Sequence, residues 1–241
     1  SRRRHTRYWR DWSSDVCSSD LLAHNRYIGL LLADSEPEEA LAQTEQVLDW
    51  MFAGKSWQTS DGRLASDVRD RVNFNDGEGA GAEQMVASTL FLRSLAFEGI
   101  GKTKDAVWCL KLSERLDGRN GDVLAALGDY YLPSDRKLAI QYYERSVSVD
   151  DKDWKHLRRL GQQYAEDGRL IEARDLYRRA VRRAPFASVA WIELAHILRA
   201  QKDYKSALDA LMEARRGINF DPEGVDREIA ELKQKLGLSK D

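Results

Sequence analysis

The stretch from Ala96 to Thr103 carries the strongest chemical signature in the chain: Ala-Phe-Glu-Gly-Ile-Gly-Lys-Thr. It satisfies the relaxed form of a phosphate-binding loop, in which backbone amides cradle phosphate, the lysine reaches the terminal phosphates and the threonine holds magnesium. That chemistry needs a strand before the loop. Here residues 85–98 have helical spacing and residues 99–104 fall where two helices turn, so the segment reads as an interhelix turn with no nucleotide bound. His24, His156, His196 and Cys109 are metal-ligand types, but they occupy four different helical segments without the short spacings of a zinc site, and no metal is expected. Cys109, between Trp108 and Leu110, reads as a small packing residue. The basic run Arg174, Arg178, Arg179, Arg182 and Arg183 raises nucleic acid as a partner. It alternates with Glu172 and Asp175 and has no exposed interleaved aromatics, so it reads as a solvated helix face and no nucleic-acid partner is assigned. No Ser-His-Asp, Cys-His or paired-carboxylate arrangement stands out. The chain therefore reads as non-enzymatic, without catalytic residues or cofactors.

The elements behind these residues are helices. Trp154, Leu157, Leu160, Gly161 and Tyr164 recur at steps of three and four, which places them on one face of a first helix. Ala173, Leu176, Tyr177, Ala180 and Val181 do the same for a second, and Pro185 follows its last turn. The turn Asp167-Gly168-Arg169 makes the two helices antiparallel, packed through Gly161, Ala173 and Ala180. This unit resembles the tetratricopeptide repeat (TPR), a helix-turn-helix motif of about 34 residues, with every signature position filled. The resemblance implies an all-α fold: a right-handed α-solenoid of about five TPR units, each touching only its neighbours.

The other segments follow the same register. Residues 22–54 read as a TPR-like hairpin, with Tyr27, Leu30, Leu31 and Ala33 on its first helix, Ala40, Leu41, Thr44, Val47, Leu48 and Met51 on its second, and Pro37 opening the latter. Residues 55–82 break the period with clusters of Gly, Asp, Asn and Ser, and read as an irregular insertion with one short helix through Leu64, Val68 and Val72. Residues 83–221 form the array proper, about four units by the repeat length. In its first unit Arg93 and Ser94 stand where the repeat has leucine and glycine. Residues 222–241 read as a capping helix and tail, with Val225, Ile229, Leu232 and Leu236 on the buried face.

Residues 1–21 stand apart. Residues 11–21 resemble the translation of a sequencing-library adapter and residues 1–7 its outer part, so the segment is expected to be non-native, with the gene's own start upstream. The chain carries 38 basic and 40 acidic residues; without this segment 33 and 37 remain, a net charge of −4. Cys109 is then the single cysteine, which excludes an intrachain disulfide. No run approaches the roughly 18 apolar residues of a membrane span. Both a cytoplasmic and a cell-envelope location fit.

The resemblance also implies where a partner sits. In TPR proteins the concave groove is lined by positions 2, 5, 9 and 12 of each first helix. Here these are Lys155, Arg158, Gln162 and Ala165, then Val189, Ile192, His196 and Arg199. Phe91 and Leu95 add apolar area in earlier units, and Asp122 and Asp129 add negative charge. The expected function is that of a protein-protein interaction scaffold holding a partner segment with an acidic group near an apolar anchor. The alternative is the docking or regulatory part of a larger enzyme, receptor or envelope protein. Lys155 and Arg159 match the last two basic residues of the clamp with which some TPR domains hold chaperone tails. Its paired asparagines are replaced by Ala126 and Leu95, which argues against such tails as ligands.

Overall fold

A computed structural model describes residues 18–52, 79–218 and 221–238. These residues fold into helices joined by short turns, and the chain divides into two compact units, residues 1–119 and 120–241. The irregular insertion lies largely outside the described residues, as do residues 1–17.

In the first unit, α1 (Ser18–Ala33) and α2 (Pro37–Met51) form a hairpin, as do α3 (Gly79–Gly99) and α4 (Thr103–Leu116). Pro37 occupies the first turn of α2, where its missing N–H costs nothing. Helix α1 begins at Ser18 and buries Leu21 completely, so it runs across the 21/22 boundary drawn from the adapter resemblance. Helix α3 begins at Gly79, four residues before the array boundary that the loop signals suggest. The core joins Ile28, Leu31, Val47, Leu48, Met51, Phe52, Val86, Leu90 and Cys109. Burial pushes the Cys109 thiol up to about 12, which leaves it an inert packing group.

Arg93 is the departure from the repeat pattern in this unit. It is 8% exposed, donates to Thr44 Oγ1 at 3.1 Å and the Leu41 carbonyl at 3.4 Å, pairs with Glu45, and covers the Phe97 ring at 5.1 Å. A buried cation is tolerated only when it is paired and hydrogen-bonded, and helix α2 meets both requirements.

The second unit comprises α5 (Gly121–Tyr131), α6 (Arg136–Val149), α7 (Trp154–Glu166), α8 (Leu170–Arg183), α9 (Ser188–Ala200), α10 (Tyr204–Ala214) and α11 (Pro222–Lys235). They pair as α5/α6, α7/α8 and α9/α10, and α11 packs on α10 through Val225, Ile229 and Leu232. Asn120, Asp135, Asp153, Asp203 and Asp221 cap the helices that follow them, accepting hydrogen bonds from first-turn amides. A Cβ on Gly128 would lie 2.6 Å from the Tyr143 ring, so only glycine lets α6 come this close to α5. The sharp turns use the left-handed region at Gly168 (φ +75°) and, one repeat later, at Lys202 (φ +65°).

The chain thus has an all-α fold built as a solenoid of helix-turn-helix repeats. Among the described residues, no helix is long and apolar enough to cross a membrane.

Candidate protein-binding surface

The residues proposed from sequence for the groove lie on the first helices of two successive hairpins, α7 and α9. Lys155, Gln162, His196 and Arg199 are exposed, whereas Arg158, Ala165, Val189 and Ile192 are half-buried. Ile192 and the neighbouring Trp191 rest against the core cluster, so the apolar part of the stripe is held by packing from behind.

The charges differ from expectation. Arg158 does not face a vacant groove: its Nε donates to both carboxylate oxygens of Glu193 at 3.0 and 2.9 Å, and its Nη2 donates to Oε1 at 2.7 Å. His196 and Arg199 converge on Glu228 of α11, at 3.1 and 3.4 Å. Further back, Arg159 pairs with Asp129 at 3.1 Å, and His156 Nε2 lies 3.2 Å from Asp122 Oδ1. The first helices α5, α7, α9 and α11 are therefore linked in sequence by ion pairs, which neutralise most of the positive charge assigned to the ligand. Lys155 is the exception, with no ion pair among the described residues. Glu193 and Glu228 escaped sequence reasoning because they lie off the stripe; Asp122 lies on it, but its pairing with His156 did not show in the spacing. The available signal was opposite charge at about one repeat's separation: Arg158 and Glu193 are 35 residues apart, His156 and Asp122 34, and His196 and Glu228 32.

The proton affinities follow these contacts. Burial raises the Glu193 carboxyl above its ordinary value, against the pull of Arg158. The His156 ring is raised: burial pushes it down, but the Asp122 hydrogen bond and the charges of Asp153 and Asp122 outweigh it. Asp122 is held low, chiefly by the hydrogen bond from His156.

Asp122, Asp153 and His156 bring ligand atoms within 4.8 Å of one another, a grouping that sequence spacing does not reveal. Asp153 is committed to capping α7 through the Lys155 amide at 2.7 Å, and Asp122 follows the cap of α5. The cluster thus sits on the positive ends of two helix dipoles, which favour carboxylates and oppose a cation. His156 serves there as the hydrogen-bonding partner of Asp122.

The stretch from Ala96 to Thr103 runs from the last turn of α3 into the first of α4, with Gly101 left-handed (φ +76°) in the turn. A helix stands where a phosphate-binding loop needs a strand. In the basic run on α8, Arg179 and Arg183 reach Asp151 at 3.4 and 3.7 Å, and Arg174 reaches Asp175 at 3.3 Å.

A family model described as ChAPs (Chs5p-Arf1p-binding proteins) matches residues 74–214, more than half of the chain. The chain belongs to the ChAPs family. The ChAPs match takes in every helix from α3 to α10. No curated protein sequence matches the chain. Among solved structures, YrrB, described as a TPR protein with an unusual peptide-binding site, shares 18% identity at a TM-score of 0.52, covering 89% of this chain and 91% of YrrB. PilF of Pseudomonas aeruginosa shares 13% at 0.63, covering 90% of each chain. MamA of Desulfovibrio magneticus shares 17% at 0.52, covering 83% and 96%. These likenesses establish the TPR-like fold, an architecture typical of protein-protein interaction scaffolds.

Proposed function

We propose that this ChAPs-family chain is a non-catalytic scaffold whose second unit holds a partner segment along the first-helix stripe of α7 and α9. The observation that carries the reading is the stripe's composition: a half-exposed apolar pair, Val189 and Ile192, lies on the helix joined to that of the unpaired Lys155 through the Arg158–Glu193 contact. An apolar side chain of the partner would cover Val189 and Ile192, and a carboxylate would meet Lys155. Arg158 and Arg199 act mainly within the array, so most of the acidic preference rests on a single lysine. YrrB is described as having a peptide-binding site, and the ChAPs as binding Chs5p and Arf1p, which accords with a protein ligand.

Reversing Arg158 and Arg199 is a poor test, because Arg158→Glu would set two carboxylates against each other. Lys155→Glu with Val189→Glu leaves the ion pairs intact. Peptides selected from a random display library against the whole chain should carry an apolar residue beside an acid, and lose at least tenfold in affinity to the double variant. Its circular dichroism and melting temperature should remain those of the parent. Selected peptides that bind both proteins equally would refute the stripe as the site.

A further inference from the structure

A second surface lies between the second helices α8 and α10 and is independent of the stripe. Residues of both helices line a cleft of about 520 Å³. Its floor is Trp191, Leu194 and Leu198 of α9, and its apolar walls include Val181 and Met212. Met212 is 45% exposed, and the Trp191 ring is fixed by its Nε1–H donating to the Pro185 carbonyl at 2.9 Å.

The cleft's charge says what would fill it. The arginines of α8 divide by their position around the helix. Arg174, Arg179 and Arg183 each meet a carboxylate of this chain. Arg178 and Arg182, which line the cleft, meet none within ion-pair distance among the described residues; Arg182 Nε donates to the Arg178 carbonyl instead. Asp203 feels Arg178 only through space. Across the cleft Glu213 of α10 is taken by Arg216, just past the helix end, and Asp209 of α10 also lines the cleft with no ion pair among the described residues, so the acidic partner must lie on the α8 side. Arg178 and Arg182 are one turn apart, about 6 Å along the axis.

We propose that this cleft is a docking site for an amphipathic helical segment of a partner protein. The segment would lie along the cleft, press apolar side chains onto Trp191 and Met212, and present two carboxylates one turn apart to Arg178 and Arg182. Two carboxylates at i and i+4 of the incoming helix match this spacing. Guanidinium-carboxylate pairing at an apolar rim supplies register, and the floor supplies buried area.

The test uses the whole chain labelled with 13C in its methionine methyls, of which Met212 lies at the cleft. The probe is a capped 14-residue peptide with leucine at i, i+3, i+4 and i+7 and glutamate along one flank; the control has lysine in place of glutamate. The acidic peptide should shift the Met212 methyl and the lysine peptide should leave it in place. Arg178→Gln with Arg182→Gln should weaken binding at least tenfold, whereas Lys155→Glu with Val189→Glu should not alter it. Circular dichroism checks that each variant is folded. The proposal is overturned if the acidic peptide fails to bind, binds without moving Met212, or binds the glutamine variant equally well. Tighter displacement of Met212 by a single-stranded oligonucleotide would give the cleft to nucleic acid and also overturn it.

Discussion

Replacing Arg158 with methionine keeps the aliphatic stem and removes the guanidinium from Glu193. The two side chains are 30% and 20% exposed, so the pair lies between the surface and the interior. Exposed pairs contribute about 0.2–1 kcal/mol, and breaking a buried pair costs about 3–5. With three short hydrogen bonds at stake, a loss of about 2 kcal/mol is expected at neutral pH, or about 4–8 °C in Tm for a chain of this length. The pH dependence identifies the cause. Burial already raises the Glu193 carboxyl, and without Arg158 it rises further. A carboxylate whose folded pKa lies above its unfolded pKa destabilises the fold at neutral pH, and this cost fades as pH falls through the folded value and the group protonates in place. The deficit of Arg158→Met should therefore shrink toward pH 5, and Arg158→Met with Glu193→Gln should recover most of it at pH 7. Urea denaturation of the three proteins at both pH values measures all three effects. A single variant within about 0.5 kcal/mol of the parent at pH 7, or a deficit that does not change with pH, would refute the view that Glu193 depends on Arg158.

Two further outcomes follow from the second unit. His156 has a raised pKa, so its contribution should be complete below its ordinary 6.5 and be lost as pH rises through the folded value; Asp122→Asn should flatten the fall in urea midpoint above pH 6.5, and an unchanged slope would show that Asp122 is not the partner that matters. Lys202 occupies the left-handed turn position that Gly168 fills one repeat earlier, so Lys202→Gly should raise stability by about 0.5–1 kcal/mol in thermal melts, and a loss would contradict the strain argument.

The repeats were legible in the sequence because each hairpin buries residues at fixed helical spacing, and small residues such as Gly128 and Gly161 mark where second-helix tyrosines press close. Stripe positions were equally legible, since they depend on the same register. What charged residues do there was not. Position alone gives Arg158 and Lys155 the same face, yet the first is held by Glu193 while the second has no ion pair, because the acid lies 35 residues away and one helix over. Helical spacing does separate Arg178 and Arg182 from Arg179 and Arg183, but only the placement of Asp151 and of α10 turns that separation into paired and unpaired groups. Arg93 is the sharpest case. At a position expected to be leucine it looks like an error in the pattern until Thr44 and Glu45 are seen opposite.

Repeat proteins lengthen and shorten in evolution by copying or deleting whole hairpins, which succeeds when neighbouring modules present interchangeable apolar faces. The Arg93 contact forbids this at the seam between α2 and α3. A copied hairpin placed ahead of α3 would have to offer a hydroxyl and a carboxylate at adjacent positions of its second helix, as Thr44 and Glu45 do, or strand a guanidinium in the interior. The first two hairpins are thus bound to each other as a matched pair. At the seam between α8 and α9, alanine, leucine and valine are crossed by the Arg158–Glu193 pair, whose side chains keep 30% and 20% of their surface exposed, so a mismatched module there strands its charges nearer to water than one at Arg93 would. Homologues of different length should gain or lose modules there and retain the α2–α3 junction unchanged.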